Sequence, residues 1–144
     1  MGNSQLTPET MMSKAETACA SARILLEHGD TDGATNRAYY AMFDAARAAL
    51  LASGAPVDLE TIRSHSGLIG AFGNFLVKNG PVSKDIGRLL SRTLNVRFMA
   101  DYAGISVEPS VAKDIVVQAE TFIAALRIEF MPDNNVNDDD ELGS

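Results

Sequence analysis

Tryptophan is absent from this 144-residue chain, and aromatic residues make up only 6% of it. A core must therefore be built mainly from Ala, Leu, Ile, Val and Met, which suits close packing of helices. Cysteine occurs once, at Cys19. That excludes an internal disulfide framework and a cysteine-rich metal site, and it fits a reducing cytosol. With Ala15, Ala18 and Ala22 around it, Cys19 reads as a small buried hydrophobe rather than a reactive thiol. Histidine occurs twice, at His28 and His65. The two stand far apart with no Cys or carboxylate pattern beside them, so neither a zinc site nor any other metal site is expected.

Other absences narrow the function. No apolar stretch is long enough to span a bilayer. The opening MGNSQLTPETMMSK has no basic run followed by an apolar run, so no signal peptide or anchor is expected. The expected location is the cytoplasm. There is no phosphate-binding glycine loop of the P-loop or dinucleotide type, no Ser or Cys triad pattern and no internal repeat. No cofactor is expected. Alternation of period two never persists, which disfavours sheet folds.

Charge is uneven. The net charge is −7, but Asp133, Asp138, Asp139, Asp140 and Glu141 supply −5 of it near the C-terminus, which leaves the body at −2. A nearly neutral body can hold a local basic patch, but it has no broad basic field of the kind that drives non-specific nucleic-acid binding. Residues 131–144 read as a disordered acidic tail. It is either a solubilising segment or a nucleic-acid mimic that covers a basic groove. Residues 1–6 read as a flexible N-terminus.

What remains, residues 7–130, has the size and the 46% hydrophobic content of one packed domain. Its periodicity predicts an all-α, antiparallel bundle of about five helices with a four-helix core. Thr7-Pro8 starts the first helix, and Gly29 ends it near His28. The second runs from about Thr31 to Ser53 and stops at Gly54. Ala34, Ala38, Ala41, Met42, Ala45, Ala49 and Leu50 give it a smooth face on which another helix can approach closely. Asp58 is the expected cap of a third helix, on which Ile62, His65, Ile69, Phe72 and Leu76 share a face. Gly67, Gly70 and Gly73 interrupt that helix, so it is expected to bend, break or pack closely. Ser83 caps a fourth helix ending at Gly104, with Ile86, Leu90, Leu94 and Phe98 inward. A fifth carries Val111, Ile115, Ala119, Phe122, Leu126 and Phe130, and Pro132 stops it.

The segment with the most chemistry lies on the second helix. Arg37, Tyr40, Asp44 and Arg47 fall at i, i+3, i+7 and i+10 and form a polar stripe beside the Ala/Met face. Arg37 and Asp44 lie two turns apart, roughly 10 Å along the axis, too far to touch within one helix. A ligand or a second copy of the helix would bridge them. Tyr39 and Tyr40 cannot both face the core, and Tyr40 is the one on the stripe. His65 is either a satisfied core or interface histidine or a contributor to the Arg37 pocket. Arg97 and Asp101 are spaced as an i, i+4 pair, expected to orient one another beside the second helix. Lys84, Arg88 and Arg92 make a basic face, either solvated or a phosphate track.

The string NRAYYAMFDAARAALL (36–51), followed by His65-Ser66-Gly67 and Arg97-x(3)-Asp101-Tyr102, resembles the HEPN (higher eukaryotes and prokaryotes nucleotide-binding) family. The order and spacing are those of a bacterial and archaeal subfamily, and the resemblance covers about residues 12–130. It implies a dimer whose R-x(4–6)-H motifs form a composite, metal-independent ribonuclease site. Arginine would stabilise charge at the scissile phosphate, and histidine would serve as general acid or base.

The resemblance places Arg37 at the motif arginine but Asp44 where the histidine belongs. An ordinary Asp titrates at about 3.9 and His at about 6.5. Asp44 would therefore rarely hold a proton to donate at neutral pH, and general acid–base catalysis typically contributes about 10²–10⁴-fold. The expected catalytic set is Arg37, Asp44 and His65, supported by Asn36, Tyr40, Arg97, Asp101 and Tyr102. The implied partners are a second copy, RNA or a nucleotide, and a small nucleotidyltransferase antitoxin. Such antitoxins modify a tyrosine in R-x(4)-H-x-Y. Arg97-x(3)-Asp101-Tyr102 lacks that spacing and the His, so the mechanism is not carried over. A weakened ribonuclease and a non-catalytic interaction or nucleotide-binding module are the two competing readings.

Overall fold

The computed structural model describes residues 7–131. The flexible N-terminus expected at 1–6 lies outside the described residues, and so does the acidic tail expected at 131–144 except for Met131, which is buried against the core rather than disordered. Five α-helices carry the fold: α1 Pro8–Glu27, α2 Thr31–Ser53, α3 His65–Ala71, α4 Lys84–Ala103 and α5 Pro109–Phe130. The fold is all-α, with no strand among the described residues.

The caps explain most boundaries. Thr10 N–H donates to Thr7 Oγ1 at 3.1 Å at the start of α1. Gly33 N–H donates to Asp30 Oδ1 at 2.8 Å at the start of α2. Ile86 N–H donates to Ser83 Oγ at 3.2 Å at the start of α4. Each side chain satisfies an amide that a first helical turn leaves without a partner. Gly104 closes α4 at φ 68°, a left-handed conformation that costs a glycine little.

The connection from α1 to α2 is only three residues long, so α2 runs back along α1. Their contact is the most extensive in the molecule, and α5 covers much of the rest of α2. Ala34, Ala38, Ala41, Ala45, Ala48 and Ala49 are fully buried. The small-residue face of α2 is therefore used within the chain, not held open for a second copy. Three ion pairs tie α1 to α5, one of them Arg127 to Glu9 at 3.6 Å. Arg127 donates to Glu16 through Nε at 2.6 Å and Nη2 at 3.2 Å, and Arg23 reaches Glu120 at 2.6 Å.

The third segment departs from a single capped helix. Asp58 accepts from Thr61 N–H at 2.7 Å and so caps a 3₁₀ turn over Thr61–Arg63. Ser64 is the true cap of α3, accepting from Gly67 N–H at 3.0 Å. A Cβ on Gly67 would collide with the Thr61 carbonyl oxygen and lie 2.6 Å from Ser64 Oγ. The glycine that sequence periodicity treats as an interruption is what lets the chain fold back onto the cap. α3 then widens into a π-helical stretch, Phe72–Lys78, whose Phe72 ring lies 5.5 Å from that of Phe122 on α5.

Two apolar positions expected inside are outside. Phe98 on α4 is 56% exposed, and Val111 on α5 is exposed while Ala112 takes the inward place. α4 fully buries only Leu90 and Thr93. It lies on the bundle's edge, so the outer side of its last two turns, which carries Phe98, Met99 and Tyr102, is left exposed. Met131, just past α5, is buried in the core.

Candidate functional site

The polar stripe of α2 divides into two environments. At its C-terminal end, Arg47 Nη1 donates to Asp44 Oδ1 at 3.5 Å, with side chains 22% and 16% exposed. Burial pushes the Asp44 carboxyl above the usual aspartate range, outweighing the nearby positive charges of Arg47 and of Lys14 on α1. Arg47 lies over the Phe43 ring at 5.8 Å, and its Nε is buried with no hydrogen-bond partner among the described residues. Asp44 is thus turned toward Arg47 and the α1 side, with no contact to Arg37.

At the N-terminal end, Asn36 and Arg37 are exposed. Arg37 forms no ion pair or hydrogen bond among the described residues, which leaves a free guanidinium. One turn on, Tyr40 is partly exposed while Tyr39 is completely buried. Tyr40 is therefore the stripe residue and Tyr39 belongs to the core, as the helix geometry requires. Their rings nonetheless meet edge-on at 5.5 Å.

What joins them is His65. Its Nδ1 shares a hydrogen bond with Tyr39 Oη at 2.5 Å. Its ring lies 5.1 Å from Phe43, 5.4 Å from Tyr39 and 6.3 Å from Tyr40. Burial pushes the Tyr39 phenol up to about 12, although Arg97 acts against it. The phenol therefore keeps its proton at neutral pH, and as a hydroxyl it either donates to Nδ1 or accepts from Nδ1–H, according to the tautomer of the ring. His65 stands at the first turn of α3, where the Ser64 cap and Gly67 fix the backbone. The HSG tripeptide thus aims one imidazole at α2.

Arg97 departs from its expected pairing. It makes no bond to Asp101; its guanidinium carbon lies 4.9 Å from the Tyr39 ring centre and 5.3 Å from that of Tyr40. Two ring faces in a half-buried setting offer a cation more than one solvated carboxylate does. The order Arg-then-Asp along a helix is also the weaker orientation for an i, i+4 pair. Asp101 is exposed, and Tyr102 is 94% exposed at the end of α4. On the other half of α4, Arg88 pairs at 3.3 Å with Asp85, both side chains being well exposed.

The structure thus assembles Tyr39, Tyr40, Phe43, His65 and Arg97, sets Arg37 one turn before Tyr40, and leaves Asp44, one turn after it, paired with Arg47. Tyr39 is the site residue that sequence reasoning assigned only to the core. The available signal for it was that the tyrosine pair and HSG are two of the strings on which the family resemblance rests. Among the described residues no group of three or more His, Cys, Asp or Glu is arranged to hold a metal ion. No helix there is long and apolar enough to cross a membrane.

Comparison with known proteins agrees with these motifs. A model of the HEPN domain matches residues 8–129. A UPF0332 protein of Gloeobacter violaceus is 35% identical over 130 residues, spanning 88% of this chain and 98% of its own length. A UPF0332 protein of Thermotoga maritima is 33% identical, over 78% of this chain and 83% of that protein. A Methanocaldococcus jannaschii protein bearing the name "Putative toxin" is 30% identical over 119 residues, 83% of this chain and 85% of its own.

Proposed function

The chain belongs to the HEPN domain family, and on that premise we propose that it is an RNA-directed, toxin-like protein with slow, metal-independent ribonuclease activity. The observation that carries this reading is the Tyr39–His65 hydrogen bond, roofed by Arg97 and one turn from the unpaired Arg37. It supplies the imidazole that the Asp44 position lacks.

In this reading Arg37 offers a planar fork to the scissile phosphate and offsets charge on its non-bridging oxygens. The 2′-oxygen attacks phosphorus and the bond to the 5′-oxygen breaks. The imidazole of His65 takes the 2′-hydroxyl proton and returns one to the leaving oxygen. Tyr39 engages Nδ1; in the tautomer whose Nδ1–H donates to Tyr39 Oη, Nε2 carries the free lone pair that takes this proton. Asp44 takes no part, being occupied by Arg47. The resemblance to toxin–antitoxin HEPN proteins adds two partners to the proposal: a second copy of the chain and a small nucleotidyltransferase antitoxin, all in the cytoplasm. For the second copy we assign the exposed end of α4, where Phe98, Met99, Tyr102 and Ile105 stand in water, because the alanine face of α2 is already filled.

The test is cleavage of a labelled single-stranded RNA in excess chelator by the native protein and by Arg37→Ala. Cleavage that falls at least tenfold in the variant supports the proposal. Its absence, with the RNA still bound, favours the second reading, a non-catalytic interaction module. One observation supports that alternative: the residue at the family's histidine position is a largely buried aspartate engaged by Arg47 in an ion pair.

A further inference from the structure

A cleft of ≈ 380 Å³ opens beside the Tyr39–His65 cluster, between the first two turns of α2, the last turns of α4 and the loop that follows. Its size falls within the range of small-ligand pockets, about 300–1,000 Å³. Asp32, Thr35 and Asn36 line it from α2, and Arg97 and Asp101 from α4. Arg97 is the wall it shares with the two tyrosines.

We infer that this cleft receives one unstacked nucleobase bearing an exocyclic amino group, and that it sets the base preference of the protein. The inference rests on the RNA-directed reading above and deepens it. Three features carry it. The first is Thr35, which is 1% exposed and whose Oγ1 has no hydrogen-bond partner among the described residues. A threonine on a helix has two accessible χ1 rotamers, so its hydroxyl can be re-aimed by a change of rotamer when a polar group binds in the cleft that Thr35 lines. A buried hydroxyl without a partner is costly, and a polar ligand removes that cost.

The second feature is the balance of donors and acceptors. Asp32 spends one oxygen on Val107 N–H at 2.8 Å, which fastens the loop over the start of α2 and leaves Oδ2 free to accept. The Asp101 side chain forms no hydrogen bond or ion pair among the described residues and offers both carboxylate oxygens. Asn36 offers one acceptor and two donor hydrogens. Acceptors predominate, and they select the amino groups of adenine, cytosine or guanine over uracil, which has none. Asn against adenine and Asp against cytosine are pairings that recur in base recognition. The third feature is Arg97, a planar cation that already lies 4.9 Å and 5.3 Å from two ring centres and whose guanidinium is a group on which a base can stack. Asn36 directly precedes Arg37, so the base pocket and the phosphate contact are neighbours on one helix.

Binding of labelled r(A)6, r(C)6 and r(U)6 to the full chain, at one salt concentration and with chelator, tests the inference. AMP, CMP and UMP form a second arm that separates a base presented by RNA from a free nucleotide. We expect r(A)6 and r(C)6 to bind at least about tenfold more tightly than r(U)6. Thr35→Val, which is nearly isosteric and removes an unpartnered hydroxyl, should fold at least as stably as the native chain while reducing that preference. Asp101→Asn, at an exposed position, should reduce it further. Arg37→Ala should weaken all three hexamers alike and leave the preference in place. A preference in the mononucleotide arm alone assigns the pocket to a free nucleotide and overturns the RNA-presented form. Equal binding of the hexamers overturns the base pocket but leaves the RNA-directed reading standing. So does a preference that survives both pocket variants. No binding by any hexamer or mononucleotide overturns both.

Discussion

Asp44 and His65 show how much a side chain's surroundings decide what it does. By the resemblance Asp44 stands where the family's motif has its histidine, yet it is desolvated and bound to Arg47. Its folded pKa lies above the ordinary value, so the folded state holds its proton more tightly than the unfolded one. Stability therefore falls as pH rises through the window that begins at the ordinary Asp value, about 3.9. Asp44→Asn should accordingly raise the melting temperature at pH 7. That gain should vanish as the pH is taken below about 3.9. A lower melting temperature at pH 7 would mean that the Arg47 pair outweighs the cost of burial. His65 depends on a different partner. Tyr39→Phe deletes the phenol that holds Nδ1 and should cost about 0.5–1.5 kcal/mol in a urea titration. An unchanged midpoint would contradict a structural role for that bond.

At the scale of elements, local signals and tertiary signals separate cleanly. Thr7-Pro8, Gly54, Ser83 and Gly104 mark their helix ends because a cap is a contact within four residues and so is written in the sequence. The 3₁₀ turn, Ser64 and the π-helical stretch were not legible as such. Ile62, His65, Ile69, Phe72 and Leu76 keep one face under several helical pitches, and spacing alone does not choose among them. Exposure at Phe98 and Val111 was hidden for a related reason: periodicity defines a face but not whether a neighbour lies against it. The site divides the same way. Arg37, Tyr40 and Asp44 share a helix and were legible as a stripe. Tyr39 and His65 lie 26 positions apart and meet only in the fold. The backbone that brings them together depends on Gly67. Gly67→Ala should cost about 1–3 kcal/mol through overpacking against Thr61. It should also disorder His65, seen as loss of the imidazole's NMR shift perturbation by Tyr39. A fully stable variant would remove the close approach from the account.

For the whole molecule, the packing determines where a second copy can sit. α1 and α5 close over the alanine face of α2, and the apolar end of α4 is left in water. Phe98→Asp and Tyr102→Asp, combined, should convert a dimer to a monomer by light scattering at micromolar concentration without lowering the melting temperature of the monomer. A native chain that is monomeric under those conditions would contradict the proposed α4 contact. It would also take away the composite site that a pair of Arg37 residues would form.

The claim on which the rest depends is that the proton is moved by His65 and not by the residue at the motif position. Single-turnover cleavage of one RNA in excess chelator, by the native chain, His65→Asn and Asp44→Asn, tests it most directly. Asn at 65 preserves a polar group near Tyr39 Oη but cannot exchange a proton, so the rate should fall by about 10²-fold or more. Asp44→Asn should cleave within a few-fold of native. The reverse pattern, with His65→Asn active and Asp44→Asn silent, would contradict the account and return the chemistry to the α2 stripe.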